Sequence, residues 1–293
     1  MTTGLKKVLR HLHRVLKPSD GGLTDGQLLA RFIATRDEES FEALVLRHGP
    51  MVWNLSLRVL GHVQDAEDCF QATFLVLARR AKSVVKRESV GSFLYGVAYR
   101  IALEAKAISA RRKSREKQVK DMPQPEVLPG EPQDWRPWLD HELNHLPETY
   151  RAVIVACDLE GRSRKEAAHL LGSSEGTVSS RLARGRRLLA KRLSRYGLLL
   201  PAAVVATALS GATASAVPAP LVSSTVQAAV LVASGEFSAV STSVGFLMKG
   251  AFQTMLLAKL KLAVGAVIVV MALGASGLVY RPSGQSASGS KRP

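Results

Sequence analysis

At 293 residues the chain is long enough for two domains, and a formal charge of +16 with a pI near 10.2 points to a polyanionic partner. Its two cysteines, Cys69 and Cys157, exclude a disulfide-stapled secreted scaffold and make a reducing cytosol the default. The charge is uneven: from Leu198 to Pro293 there are only seven charged residues, so a charged front is followed by an apolar rear.

In chain order, residues 1–22 form a basic N-terminal segment. Leu5 to Leu16 reads there as a short helix too broken by charge for a secretory signal. Thr24 can cap a helix that places Leu28, Leu29, Phe32 and Ile33 on one face. A second helical stretch runs from Asp37 to Leu60. Gly49-Pro50 is expected to kink or split it, and Gly61 to end it. The third, DAEDCFQATFLVLARR, covers Asp65 to Arg80 with Phe70, Phe74 and Leu77 on its buried side. The fourth covers Ser89 to Arg115. It carries Phe93, Tyr95 and Tyr99 early and Lys106, Arg111 and Arg112 late. Pro123, Pro125, Pro129, Gly130 and Pro132 then mark residues 116–134 as an extended, acidic linker. Helix resumes near Trp135 and breaks at Leu146-Pro147.

The stretch Glu160 to Arg195 reads as two helices joined by a tight turn. Ser163 and Glu166 are spaced for a capping box, and Ala167, Leu170 and Leu171 make one apolar face. Gly172 sits at the turn, and Ser173 or Ser174 caps the second helix. Val178, Leu182 and Leu189 are the apolar side of that helix. Thr177, Ser179, Ser180, Arg181 and Arg184 lie opposite, with Arg186, Arg187, Lys191 and Arg192 further along. A helix–turn–helix with a basic, hydroxyl-rich second helix is the geometry of a major-groove reader. The plain alternative is a helical hairpin with a solvated basic face.

One motif points elsewhere. His141-Glu142-Leu143-Asn144-His145 matches HExxH, the signature of a zinc protease. Leu146-Pro147 puts His145 at a helix end, and no third ligand stands at a usual offset, so a membrane zinc protease is only a remote alternative. No metal, no cofactor and no enzymatic activity is expected.

The pieces DAEDCFQATFLVLARR, GSFLYGVAYRIALEAKAISARR, LPETYRAVIVACDLEG and EGTVSSRLARGRRLL, in this order, resemble a sigma-70 family factor of the extracytoplasmic-function type. RHGPMVW, FQATFLVLARRA and ESVGSFLYGVAYR further resemble its planctomycete-type members, many of which carry a long apolar C-terminal extension. The resemblance implies an all-α chain of two small helical domains. A front bundle, residues 23–115, meets the RNA polymerase core through Asp65, Asp68 and Gln71. It opens the −10 element with Phe93, Tyr95, Tyr99, Arg100, Lys106, Arg111 and Arg112. A rear helix–turn–helix domain, residues 135–197, reads the −35 element through Ser173, Ser174, Thr177, Ser179, Ser180, Arg181 and Arg184. Two positions depart from the family pattern. Ser179 stands where Lys or Arg is frequent, and Arg100 where Asn is usual. Core packing is the alternative role for each aromatic, and a solvated helix end for Arg111 and Arg112. The linker's nineteen residues, at about 3.1 Å each, reach ~60 Å, close to two duplex turns of ~34 Å. The implied partners are the polymerase core and promoter DNA, with an anti-sigma factor as a further candidate. An activator that binds DNA without being a polymerase subunit is the competing reading.

The rear divides into an apolar extension, 198–261, a span, 262–280, and a tail, 281–293. Leu262 to Tyr280 is nineteen residues without a charge, ~28 Å of helix, so it is expected to cross a bilayer. Gly197 to Gly235 is also uncharged; it is a candidate second span, or else apolar helices lying against the membrane or each other. Membrane lipid then joins the partners, and the location is the cytoplasmic face of the inner membrane.

Overall fold

A computed structural model describes residues 23–84, 89–119, 135–210, 216–238 and 240–253, with side chains in the fourth helix described through residue 112. Every regular element among them is helical. The basic segment 1–22, linker residues 120–134, the span 262–280 and the tail 281–293 lie outside the described residues. The chain divides into units Met1–Ala251 and Phe252–Pro293, and all that follows concerns the first.

The front bundle comprises α1 (Asp25–Thr35), α2 (Glu38–Leu60), α3 (Val63–Val84) and α4 (Val90–Val119). Thr24 and Gln27 form a capping box at the start of α1. The chain leaves α1 through Arg36, whose φ of 57° is left-handed. The expected break at Gly49-Pro50 is absent, for α2 runs unbroken with Pro50 inside it. Its bare Gly49 lies 3.5 Å, at the Cβ it lacks, from the Phe70 ring, so packing on α3 holds the turn that proline weakens. Phe32 and Phe41 meet at 4.5 Å, Phe70 and Phe74 at 4.9 Å, and Trp53 meets Phe70 edge-on at 6.3 Å. The first residues of the expected linker, Glu116 to Val119, continue α4.

The second group is α5 (Arg136–Asn144), α6 (Glu148–Ile154), α7 (Arg164–Leu170) and α8 (Glu175–Leu193). Between α6 and α7, Val155–Leu159 forms one π-helical turn. This group packs directly on the bundle, with α5, α6 and the π turn against α4.

The apolar rear folds back onto both groups. α9 (Ala202–Ser210) packs on α8 and the π turn, and α10 (Ala219–Ser234) packs on α3 and α2. A further helix, α11, covers 242–251 of this unit. Its Val244, Leu247, Met248 and Ala251 are buried, and a Cβ on Gly250 would overlap the Glu104 carboxylate of α4.

The membrane reading is thereby corrected. No helix among the described residues is long and apolar enough to cross a bilayer. The candidate second span resolves into α9, nine residues and ~14 Å, and α10, sixteen residues and ~24 Å. Val205, Leu209, Val226 and Ala229 are covered by protein, so these positions leave water by packing on the rest of the chain. The placement at the inner membrane is withdrawn with it.

Candidate nucleic-acid interface

The helix–turn–helix forms as its spacing requires. The Ser163 hydroxyl accepts from the Glu166 N–H at 3.2 Å, and the Glu166 carboxylate accepts from the Ser163 N–H at 2.8 Å. That bonding holds the Glu166 carboxyl below its usual range. Gly172 turns at φ 59°, and Ser174 caps α8 by accepting from the Thr177 N–H at 3.2 Å. Of the expected apolar face of α7, Ala167 is buried while Leu170 and Leu171 are half-buried. Val178, Leu182 and Leu189 are buried as expected. Gly185 sits among them because a Cβ there would lie 3.0 Å from Ile154 of α6. This close approach had no signal in the apolar periodicity.

The outer face of α8 holds Ser174, Ser180 and Arg184 exposed, and Ser173, Thr177, Ser179 and Arg181 half-buried. Several hydroxyls are locally engaged. Ser174 and Thr177 meet at 2.8 Å, and Ser180 donates to the Thr177 carbonyl at 3.0 Å. Among the described residues Arg181 and Arg184 have no ion-pair partner. Arg186, two residues on, turns inward to the buried Asp158, donating from Nε at 3.0 Å. Hydrogen bonding to Asp158 raises its pKa further. Arg192 likewise turns to Glu142 at 3.5 Å. Of the six basic residues of α8, Arg186 and Arg192 thus turn inward, while Arg181, Arg184, Arg187 and Lys191 have no ion-pair partner among the described residues.

Glu142 settles the HExxH motif. It accepts from the Tyr196 hydroxyl at 2.9 Å as well as from Arg192, while His145 Nδ1 lies 2.8 Å from the His141 carbonyl. The glutamate faces the end of α8, away from the exposed histidine pair. Trp138 stacks on Tyr196 at 5.5 Å to close the same corner. These are the contacts of a domain brace.

The aromatics of α4 behave differently from a ready base-stacking surface. Tyr95 is fully buried, and Phe93 and Tyr99 are only 6% and 5% exposed. The Tyr95 hydroxyl donates to Asp140 Oδ1 of α5 at 2.9 Å. Burial and that carboxylate push its pKa well up, and burial with Asp140 pushes Tyr99 up to about 12. Arg100 is half-buried, while Lys106, Arg111 and Arg112 stand exposed. Asp65, Asp68 and Gln71 on α3 are half-buried, and Gln71 donates to the Ser224 hydroxyl of α10 at 3.2 Å.

A buried polar seam joins the two groups, and sequence reasoning missed it. Arg58 of α2 grips Asp140 with two bonds, at 2.8 and 2.7 Å. His48 of α2 lies between Asp25 at 3.0 Å and Glu160, past the π turn, at 2.6 Å. Arg47 pairs with Asp25 and Arg162 with Glu160. Burial would lower the His48 pKa, but the two carboxylates outweigh it and hold it up at about 10. Burial would raise Asp25, and His48 with Arg47 instead hold it below the usual carboxylate range. Gly91 makes room, since a Cβ there would stand 2.8 Å from the Glu160 carboxylate. Arg151 adds a bond to Ser92 at 2.9 Å. The one available signal was the set of Asp and Glu residues in otherwise apolar stretches of the rear domain.

Residues 44–115 match sigma-70 region 2, and residues 136–189 match sigma-70 region 4. The chain is 33% identical over 182 residues to the ECF RNA polymerase sigma factor SigE of Mycolicibacterium smegmatis, covering 57% of this chain and 68% of that relative. It is 31% identical over 174 residues to the ECF RNA polymerase sigma factor SigM of Mycobacterium tuberculosis, covering 58% and 85%. It is 26% identical over 186 residues to the ECF RNA polymerase sigma-E factor of Haemophilus influenzae, covering 58% and 96%. Residues beyond 189 lie outside both family matches.

Proposed function

The chain belongs to the extracytoplasmic-function sigma factors of RNA polymerase, and from that premise we propose how its residues divide the work. As a sigma factor it directs the polymerase core to specific promoters. In the proposed division, residues 23–115 carry core and −10 contacts, 116–134 tether, and 135–197 read the −35 element. Ser173, Ser174 and the N-terminus of α8 approach phosphates, where backbone N–H groups and the helix dipole favour anions. Thr177, Ser179, Ser180, Arg181 and Arg184 face the groove. Asp65, Asp68 and Gln71 meet a basic polymerase helix. Phe93, Tyr95, Tyr99 and Arg100 serve promoter melting, with Lys106, Arg111 and Arg112 on nearby phosphates. Because all three aromatics are buried in this arrangement, Tyr95 against Asp140 of α5, melting requires the two domains to part along their polar seam.

The observation that carries the −35 assignment is the division of α8: Arg186 and Arg192 are held by Asp158 and Glu142, and Arg181 and Arg184 near its start, like Arg187 and Lys191 further along, have no ion-pair partner among the described residues. Footprinting of the holoenzyme on its promoter tests it. Arg181→Ala should cost about 1–3 kcal/mol and relax one promoter position. Arg184→Ala should weaken all sequences alike and lower the salt slope by about one. An unchanged footprint and slope in both variants would move the reading surface off α8.

A further inference from the structure

Helix α3 is buried further round than a bundle helix should be. Cys69, Phe70 and every residue from Ala72 to Ala78 are buried. An amphipathic surface helix buries one stripe, and burial all round means cover on both sides. On one side the cover is α2 and α4, and on the other it is α10.

Helix α10 is suited to that place. It carries no charge, and its buried residues Leu221, Val222, Thr225, Val226, Ala229 and Val232 form one apolar stripe. Two contacts fix its course. Gln71 bonds to Ser224, and the Arg79 guanidinium lies 5.0 Å over the Phe237 ring. The extension therefore runs along α3 in the same direction, from the Gln71 turn to the Arg79 turn. Before it, Val217 reaches the cleft at Gly49 of α2.

Gln71 is one of the three α3 residues assigned above to the polymerase core. We propose that α10 occupies in cis the face of α3 that receives a polymerase helix, so that core polymerase and α10 exclude one another. This rests on the assignment of Asp65, Asp68 and Gln71 to core binding. The chemistry favours an exchange rather than a permanent lid. α10 offers apolar burial and a neutral hydrogen bond, and it neutralises neither Asp65 nor Asp68. A basic helix supplies both the burial and the countercharge. Since the family matches end at residue 189, the cover belongs to the extension that distinguishes this chain.

The test uses the full chain and purified core polymerase, with affinity read by fluorescence anisotropy. Val226→Asp places a charge in the α10 stripe and should tighten core binding at least tenfold. Equal or weaker binding overturns the proposal. In a second variant, Arg79→Cys with Phe237→Cys, a short thiol-reactive bis-maleimide crosslinker with a cleavable centre pins α10 in place. Binding should be at least tenfold weaker pinned than after cleavage, and equal affinities overturn the proposal. Charge reversal at Asp65 and Asp68 in the Val226→Asp chain separates the two readings. If reversal abolishes core binding while neither α10 variant has an effect, the core face stands and the cis occupant falls. If reversal changes nothing, the core face itself is misassigned.

Discussion

Two seams hold this molecule together, and they are built from opposite chemistry. Between the front bundle and the helix–turn–helix domain the contacts are charged and directional: Arg58 on Asp140, and His48 between Asp25 and Glu160. Between α10 and α3 they are apolar, with Val226 and Ala229 buried and polar support from Gln71 and Ser224. A buried ion pair adds little net stability, because desolvation offsets most of the attraction, but removing one partner strands a charge. An apolar seat gains in proportion to area and tolerates small shifts. The polar seam thus fixes one docking geometry. The apolar seat supplies adhesion that any helix of suitable shape can replace.

The largest effect that separates the seams is expected at Asp140. Asp140→Ala removes the acceptor of two Arg58 bonds and of the Tyr95 hydroxyl, and urea unfolding should lose about 3–5 kcal/mol. Adding Arg58→Ala should recover part of that loss. Strictly additive losses would mean the pair is not coupled across the interface.

The next is a pH effect at His48. Its raised pKa gives stability that is fully present below the ordinary value of 6.5 and lost as pH climbs to about 10. Asp25 is depressed, so its share is present above its ordinary 3.8 and lost as pH falls below that value. Stability of the full chain should therefore decline from pH 6.5 to 10, and His48→Gln should flatten that limb. A decline of the same slope in the variant would place the titrating group elsewhere.

In the apolar seat Val226→Ala should cost about 1–2 kcal/mol in urea unfolding, with no pH dependence. A cost that varied with pH would show that charge reaches this seam too. Ser224→Ala is expected to be smallest, at most ~1 kcal/mol, because the Gln71 amide it leaves is half-buried and open to water. A cost above that of Val226→Ala would make the hydrogen bond, rather than burial, the main hold on α10.

The helix–turn–helix was legible because its signals are local: Ser163 to Glu166 is three residues, and Gly172 marks its own turn. The polar seam was illegible because its partners lie 82 residues apart for Arg58 and Asp140, and 112 for His48 and Glu160. Nothing in the residues near Arg58 names its partner. Tyr95 shows a different limit. A tyrosine on a helix stripe reads the same whether its ring faces a base or a carboxylate of another domain. The rear shows a third. A lack of charge in Gly197 to Gly235 reports that the segment leaves water, but the solvent it enters, lipid or protein, depends on what folds against it. The aliphatic content was read correctly; the neighbour was left open between lipid and other helices, and α9 packs on α8 while α10 packs on α3 and α2.

The π turn at Val155–Leu159 has a consequence for how this chain tolerates length change. A single π turn is an α-helical turn carrying one added residue. Every side chain after it is rotated by roughly 100° relative to an uninterrupted helix. Asp158, inside the turn, bonds Arg186 within its own domain, and Glu160, which closes it, bonds His48 of the other. Deleting Cys157, a half-buried residue whose thiol burial and Asp158 push up to about 11, would restore ordinary helical winding. The deletion would keep every ionic partner in the sequence and turn both carboxylates relative to α6, away from His48 and Arg186.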